Sequence, residues 1–177
     1  GMNPIFAFFI ALAACLAVGI INGELVARCK LPPFVATLGT QTICRGLAQL
    51  VNNNVNTDSI VSAGSKWRDV AKAVQDFCYY GKFLGIFNTF WIAIALWLIF
   101  NFILAYTRTG RHIYAIGSNV EASKRSGVNV PLTIIKAYLV SAFCAGIVGL
   151  ITCAQSGTGT MNAGISYETF AVAASVI

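Results

Sequence analysis

The sequence predicts an all-α, polytopic integral membrane helical bundle, with about four complete crossings plus the start of a fifth. Three observations support this fold class: 57% of the 177 residues are hydrophobic, only 10% are charged, and the charged residues lie between long apolar runs. The mean hydropathy of +0.74 agrees with them. Because a soluble domain carries roughly 25% charged residues, this composition excludes an ordinary soluble domain, and it also excludes a disordered chain. Membrane lipid is therefore the expected surrounding of most of the chain.

The first crossing is predicted at residues 5–21, an almost wholly apolar run with no small-residue cleavage site after it. A second, weaker stretch at residues 34–51 follows Pro32 and Pro33, which interrupt any helix. This stretch carries polar side chains that are costly against lipid. We therefore expect it to face other helices or a wet cavity.

The clearest crossing lies at residues 91–106, where Trp91 and Tyr106 are placed as interfacial anchors. Residues 132–154 form the next crossing, whose small side chains allow close approach of helix backbones. An apolar run at residues 170–177 begins a fifth crossing and stops in mid-segment. We therefore expect residues 1–177 to be one transmembrane domain, present as a fragment.

Two polar segments separate the crossings. Residues 52–88 are predicted to form an extracytoplasmic loop containing a short amphipathic helix, because Trp67, Val70, Ala71, Val74 and Phe77 recur at helical spacing. Lys and Arg favour the cytoplasmic side of a membrane protein. Their balance places residues 108–131 in the cytoplasm, together with the basic pair Arg28 and Lys30.

Several chemistries are excluded by what the sequence lacks. Six cysteines without any C-x-x-C pair, and a single histidine, provide no metal-binding spacing, so we interpret the cysteines as unpaired thiols. No Ser/His/Asp or H-E-x-x-H arrangement indicates an enzyme, and residues 157–160 lack the G-K-[ST] ending of a phosphate loop. The net charge of +6 arises from basic residues gathered between apolar runs, which does not indicate nucleic-acid binding.

The segment at residues 108–130 is the most informative. A glycine-bounded short helix is predicted at residues 119–126, with Ser118 or Asn119 as its cap. Such a helix held between two crossings is either a docking element for another protein or a plain connector.

This run, RTGRHIYAIGSNVEASKRSGVNV, resembles the cytoplasmic signature of permease subunits of ATP-binding-cassette importers for monosaccharides, of the ribose, xylose and galactose type. Residues 21–47 (INGELVARCKLPPFVATLGTQTICRGL) and 83–91 (FLGIFNTFW) resemble further signatures of that family. The likeness extends over about residues 19–177. Two departures are Glu24, where the family usually has an apolar residue, and the polar loop at residues 52–76.

The resemblance implies a permease that performs no chemistry and binds no cofactor, while ATP is used by a partner ATPase. It implies a coupling helix at residues 117–127 that docks into this cassette ATPase, through Gly117, Asn119, Glu121, Ala122, Lys124, Arg125, Ser126 and Gly127. It also implies a second permease copy in a homodimer, an extracytoplasmic sugar-binding protein, and a multi-pass position in a bacterial inner membrane.

A sugar path needs hydrogen-bonding groups, because a hydroxylated solute must replace its hydration. We expect Asn22, Thr37, Thr40 and Gln41, which flank the proline break, to border this path, with Phe34 as a gate. The alternatives are that the polar groups join helices and that Phe34 is core packing. Alternatives for the whole protein are a permease for an amino acid or a sugar-derived signal, a membrane enzyme, or a structural membrane subunit.

Overall fold

The computed structural model of the protein describes residues 4–53, 55–57, 59, 68–83, 85–160 and 162–176. Within these ranges, three helices are long and apolar enough to cross a membrane: α1 (Pro4–Ala27), α4 (Asn88–Tyr106) and α7 (Val130–Ser156). The predicted helical, polytopic membrane class is confirmed. The predicted number of crossings is not, because α2 (Pro33–Val51) carries too many polar side chains to be counted and α8 (Tyr167–Val176) has only 10 residues.

Helices α1 and α7 pack closely against each other in an antiparallel pair. A Cβ built on Gly19 would lie 2.5 Å from the Cβ of Ala142, and a Cβ on Gly23 would lie 3.0 Å from the Cα of Ile135. Gly146 in turn faces Cys15, nearer the start of α1. Gly19 and Gly23 form a G-x-x-x-G pair, which lets two membrane helices approach at backbone distance. The expected role of small residues in α7 is confirmed for Ala142 and Gly146.

Helix α2 begins directly after the proline break, with Pro32 in extended geometry and Pro33 in the first turn. Proline is tolerated there because the first helical N–H groups have no partner within the helix. The Thr42 hydroxyl donates to the carbonyl of Leu38, and that of Thr37 to Pro33. Such bonds within the helix satisfy polar side chains in a segment with little water.

The loop at residues 52–88 lies at the end of the bundle where α1 begins and α7 ends. It contains α3 (Arg68–Gln75), a π-helical turn (Asp76–Tyr80) and a pair of antiparallel two-residue strands, β1 (Lys82–Phe83) and β2 (Ile86–Phe87). The predicted amphipathic helix is confirmed over α3, while Trp67 falls outside the described residues. Ala71 is buried, and the Gln75 amide nitrogen donates to the Ala154 carbonyl at 2.8 Å. Helix α3 therefore rests on the protein's own helices.

The opposite end of the bundle carries α5 (Arg108–Ser118) and α6 (Val120–Arg125). One helix at residues 119–126 was predicted, so the 11 residues of α5 were missed. Gly110 packs against the Leu104 carbonyl where α4 turns into α5, and a side chain there would collide with backbone. The Thr107 hydroxyl caps α5 by accepting from the Gly110 N–H at 3.3 Å.

Helix α4 stands apart from the α1–α7 pair. Its main contacts are with α5 at one end and with the π-helical turn and β2 at the other, where Ile92 also lines an apolar pocket shared with α1 and α7. Among the described residues of α4 none is buried, and Trp97 and Phe102 are more than half exposed. The apolar surface of α4 is therefore left for lipid or for other membrane helices.

Glu24, the departure noted in the sequence, lies near the end of α1. Its carboxylate pairs with the Arg28 guanidinium one turn later, at 2.8 Å. Because both side chains are substantially exposed, the pair adds little to stability. The pair does direct the Glu24 carboxylate towards the end of α1, away from the apolar part of the helix.

Candidate functional site

A groove of about 380 Å³ lies between α1, α2 and α7. Small-molecule sites typically occupy roughly 300–1,000 Å³, so this groove is large enough for one small solute. Its walls are mainly small apolar side chains from α1 and α7, and its polar lining comes from Asn22, Thr37, Tyr138 and Ser141. No lining residue carries a charge. The groove extends from the middle of α1 and α7 towards the end that carries α5 and α6.

The structure brings together part of the predicted pathway set. Asn22 and Thr37 line the groove from α1 and α2, and Thr40 lies beside them, bonded to Asn22. Gln41 is half-buried on α2 and, in the part of the chain that the structure describes, does not line the groove. Phe34 is 71% exposed, so it neither packs in a core here nor closes the groove.

Hydrogen bonds orient the Asn22 amide. The Thr40 hydroxyl lies 2.7 Å from the Asn22 Oδ1 and 2.9 Å from the Ala36 carbonyl, and its single proton is donated to one acceptor at a time. The Asn22 amide nitrogen has no acceptor within the described ranges. Its two N–H donors are therefore available to the groove. Thr40 thus joins two helices, as the alternative interpretation expected, and also orients a lining residue.

Two lining residues were missed by sequence reasoning. Tyr138 was hidden in an apolar run, and Ser141 was interpreted only as a small residue for helix packing. The structure leaves Ser141 exposed to the groove, three positions after Tyr138 and on the same helix face. A hydroxyl pair at this spacing in a membrane crossing is the signal that could have identified them.

At the other candidate site, α6 is a short, well-capped helix. Asn119 is the cap, since its Oδ1 accepts from the Ala122 N–H at 3.0 Å. Ser118, the alternative, instead donates to the Ala115 carbonyl. Ser123 is buried, so one face of α6 packs against the protein, and its hydroxyl donates within the helix to the Asn119 carbonyl at 2.8 Å. Gly127, with φ of +80°, lies just beyond the helix end, in a conformation that glycine adopts easily.

All predicted docking residues of this segment are exposed. The set comprises Gly117, Asn119, Glu121, Ala122, Lys124, Arg125, Ser126 and Gly127. Tyr114 and Val120, which sequence reasoning did not single out, are 67% and 52% exposed beside them. Exposed aromatic and aliphatic side chains amid charges are typical of a protein-binding surface. We call this set, with Tyr114 and Val120, the α5–α6 surface.

The cysteines are free thiols, as predicted. In the ranges given above, no three His, Cys, Asp or Glu side chains converge on a possible metal position. Outside the crossings, burial raises the pKa of the Cys78 thiol in the π-helical turn. A half-buried thiol of this kind is less reactive than an exposed one.

Membrane-length helices around a mainly apolar groove with a few neutral polar groups, and an exposed capped helix at one end, define a multi-span membrane protein with a solute-sized cavity. The chain belongs to the family described as "Branched-chain amino acid transport system / permease component", which it matches over residues 1–177. This is a family of transport permeases rather than of enzymes.

Similar proteins carry the names of sugar importers. The galactose/methyl galactoside import permease protein MglC of Salmonella typhimurium is 35% identical over 95% of this chain and 49% of its own length. The ribose import permease protein RbsC of Escherichia coli is 32% identical over 99% of this chain and 53% of its own. The D-allose transport system permease protein AlsC of Escherichia coli is 31% identical over all of this chain and 51% of its own. The chain thus spans about half the length of the curated relatives it matches, and no solved structure matches it.

Proposed function

We propose that the protein is the translocation subunit of an ATP-binding-cassette importer that carries a monosaccharide across the cytoplasmic membrane of a bacterium. The observation that carries this proposal is the groove between α1, α2 and α7, whose polar lining is entirely neutral. The names of the galactose, ribose and allose permeases support the same substrate class.

The neutral lining distinguishes between the two substrate classes under consideration. A monosaccharide presents uncharged hydroxyl groups, which amide and hydroxyl side chains can satisfy. An amino acid presents an ammonium and a carboxylate, each of which is expensive to desolvate without an opposite charge. Since no Asp, Glu, Lys or Arg among the residues that the structure describes lines the groove, its chemistry favours the sugar over the amino acid of the family's description.

In this proposal the α5–α6 surface docks on the cassette ATPase, which supplies the ATP hydrolysis. The capped helix α6 suits this role because Asn119 caps its first turn and the buried Ser123 faces the rest of the protein. Its exposed Glu121, Lys124 and Arg125 offer both signs of charge to a partner. Residues 108–131 are accordingly cytoplasmic and residues 52–88 extracytoplasmic.

The same proposal includes a second permease copy, a sugar-binding protein and two further membrane crossings. A second copy of the permease forms the transport unit, and an extracytoplasmic sugar-binding protein delivers the solute. Helix α2 crosses the membrane as a fourth helix, because its 19 residues extend about 28 Å and its threonines are bonded within the bundle. Helix α8 is the start of a fifth.

Reconstituted transport tests the proposal. The complete permease would be placed in proteoliposomes with a cassette ATPase and a sugar-binding protein from the same organism, and supplied with labelled ribose, galactose, allose or leucine. We expect ATP-dependent uptake of at least one sugar. ATP-dependent uptake of leucine in the absence of any sugar uptake would overturn the substrate class.

Coupling between the permease and the ATPase is tested by reversing a charge and by adding a large side chain on α6. Glu121→Lys and Ala122→Trp, on the exposed face of α6, are expected to abolish both ATPase assembly and uptake. The control is Lys72→Glu, a charge reversal at an exposed position of α3 on the opposite end of the bundle. Normal assembly and uptake by both α6 variants would show that docking occurs elsewhere.

A further inference from the structure

We propose that Tyr138 and Ser141 of α7 determine which solute passes, by hydrogen bonding to neighbouring hydroxyl groups of the permeating sugar. This inference rests on the proposed function and adds residues that the pathway prediction did not contain. It follows from how the hydroxyl groups of α7 are satisfied.

Ser141 differs from the other Ser and Thr residues of α7. The hydroxyls of Thr133, Thr152 and Ser156 each donate to the carbonyl four residues earlier, at 2.9, 2.9 and 3.0 Å. Ser141, in the groove, has no hydrogen-bond partner within the described residues. Since an unpaired hydroxyl in a membrane interior is costly, this group requires water or a solute as its partner.

The Tyr138 hydroxyl also lacks a hydrogen-bond partner among the described residues. Its side chain lines the groove while its backbone carbonyl lies at the close α1–α7 contact, 3.2 Å from a Cβ built on Gly19. The described protein atoms provide no hydrogen-bond partner for its hydroxyl. Because the backbone of Tyr138 is fixed by helix packing, the phenol is presented to the groove from a rigid element, as a selective site requires.

Asn22 completes the set from the opposite wall. Its amide oxygen is engaged by Thr40, which leaves the two N–H groups as donors. Each hydroxyl of Tyr138 and Ser141 can donate and accept. Neighbouring hydroxyls of a sugar also donate and accept, so they can satisfy all three side chains at once. A solute that lacks one of these hydroxyls leaves a protein group unpaired, which is the basis of strong discrimination.

The test compares a transported sugar with its singly deoxygenated analogues in the reconstituted importer. Wild-type protein should prefer the parent sugar over at least one analogue. Tyr138→Phe and Ser141→Ala, which each remove one hydroxyl, should reduce that preference by about 3- to 10-fold, as expected for one hydrogen bond. The reduction should arise from slower uptake of the parent sugar, with uptake of the analogue unchanged.

Matched controls remove a hydroxyl outside the groove. Thr152→Val removes a hydroxyl of α7 that is bonded to its own helix, and Tyr106→Phe removes an exposed phenol at the end of α4. Both controls should keep the wild-type preference. If Tyr138→Phe and Ser141→Ala also keep it, the inference is wrong while the proposed function stands.

Cys15 provides a second readout that does not depend on transport. It lines the same groove, and the other five cysteines can be replaced by alanine. Modification of Cys15 by a methanethiosulfonate reagent should be slowed by the transported sugar, and less so in Tyr138→Phe and Ser141→Ala. Equal protection in all three proteins would overturn the inference. Absence of sugar uptake by the wild type, by contrast, would overturn the proposed function itself.

Discussion

Replacement of Gly19 by alanine should destabilise the α1–α7 pair. The new Cβ would lie 2.5 Å from the Cβ of Ala142, whereas apolar carbons in contact prefer about 3.5–4.0 Å. Both atoms are attached directly to backbone, so no side-chain rotation relieves the collision. The two helices must separate by about 1 Å at this point, and overpacking of this kind costs about 1–3 kcal/mol.

Gly149→Ala is the matched control. Gly149 is also a helical glycine of the α1–α7 pair, but a Cβ built there meets no atom within 4 Å. Both substitutions bring the same gain in helix propensity, about 0.5–1 kcal/mol. The difference between their free energies of unfolding therefore isolates the collision, and we expect Gly19→Ala to be less stable by about 1–3 kcal/mol.

The measurement is reversible unfolding in mixed micelles of sodium dodecyl sulfate and a mild detergent, followed by circular dichroism. A second substitution, Ala142→Gly, removes the atom that the new methyl group meets. The double variant should regain most of the lost stability, because contacting residues are coupled. Equal stability of Gly19→Ala and Gly149→Ala, or a double variant no better than Gly19→Ala, would refute the backbone contact.

Three further predictions concern the ends of the bundle. Asn119→Ala should destabilise α6 by about 1 kcal/mol and weaken ATPase binding, measured by co-purification, whereas Ser118→Ala, which is not the cap, should leave both unchanged. Gln75→Leu removes the bond to the Ala154 carbonyl and should speed hydrogen exchange in α3; unchanged exchange would show that this bond does not hold the helix. Because burial raises the pKa of Cys78, its maleimide labelling near pH 7.5 should be slower than that of the exposed Cys29 and should accelerate at higher pH than an ordinary thiol. Burial favours the neutral thiol, so the contribution of Cys78 to stability is present below the ordinary thiol pKa and is lost as the pH rises above it.

Much of the fold could be predicted because lipid imposes long uninterrupted apolar runs. The runs around residues 5–21, 91–106 and 132–154 became α1, α4 and α7, with α1 and α7 longer at both ends and α4 longer only at its start. Helix α5 was missed because the arginines of residues 108–118 were attributed to the orientation of the protein in the membrane, and no helix was needed to account for them. Its helical start depends on Gly110 fitting against Leu104 across the turn between α4 and α5, a backbone contact that the hydrophobic pattern does not reveal.

The candidate sites were predictable to different degrees. The short helix α6 follows from local capping and glycine signals, whereas its docking residues were predicted from the family resemblance. The groove depends on which face of α7 meets α1, and that is fixed by Gly19 and Gly23 rather than by the polar residues themselves. Tyr138 and Ser141 could therefore not be assigned to the groove before helix packing was known. Phe34 is 71% exposed, and its predicted role as a gate stays a prediction.

The length of α7 has a mechanical consequence. Its 27 residues extend about 40 Å, whereas the hydrocarbon core of a bilayer is about 30 Å thick. One unbroken rod therefore protrudes from the hydrocarbon layer unless it is strongly tilted. Helices α5 and α6 contact one end of the rod, and Gln75 is bonded to the other. A tilt imposed at the α5–α6 end would swing the far end in the same motion, without any flexible joint between them.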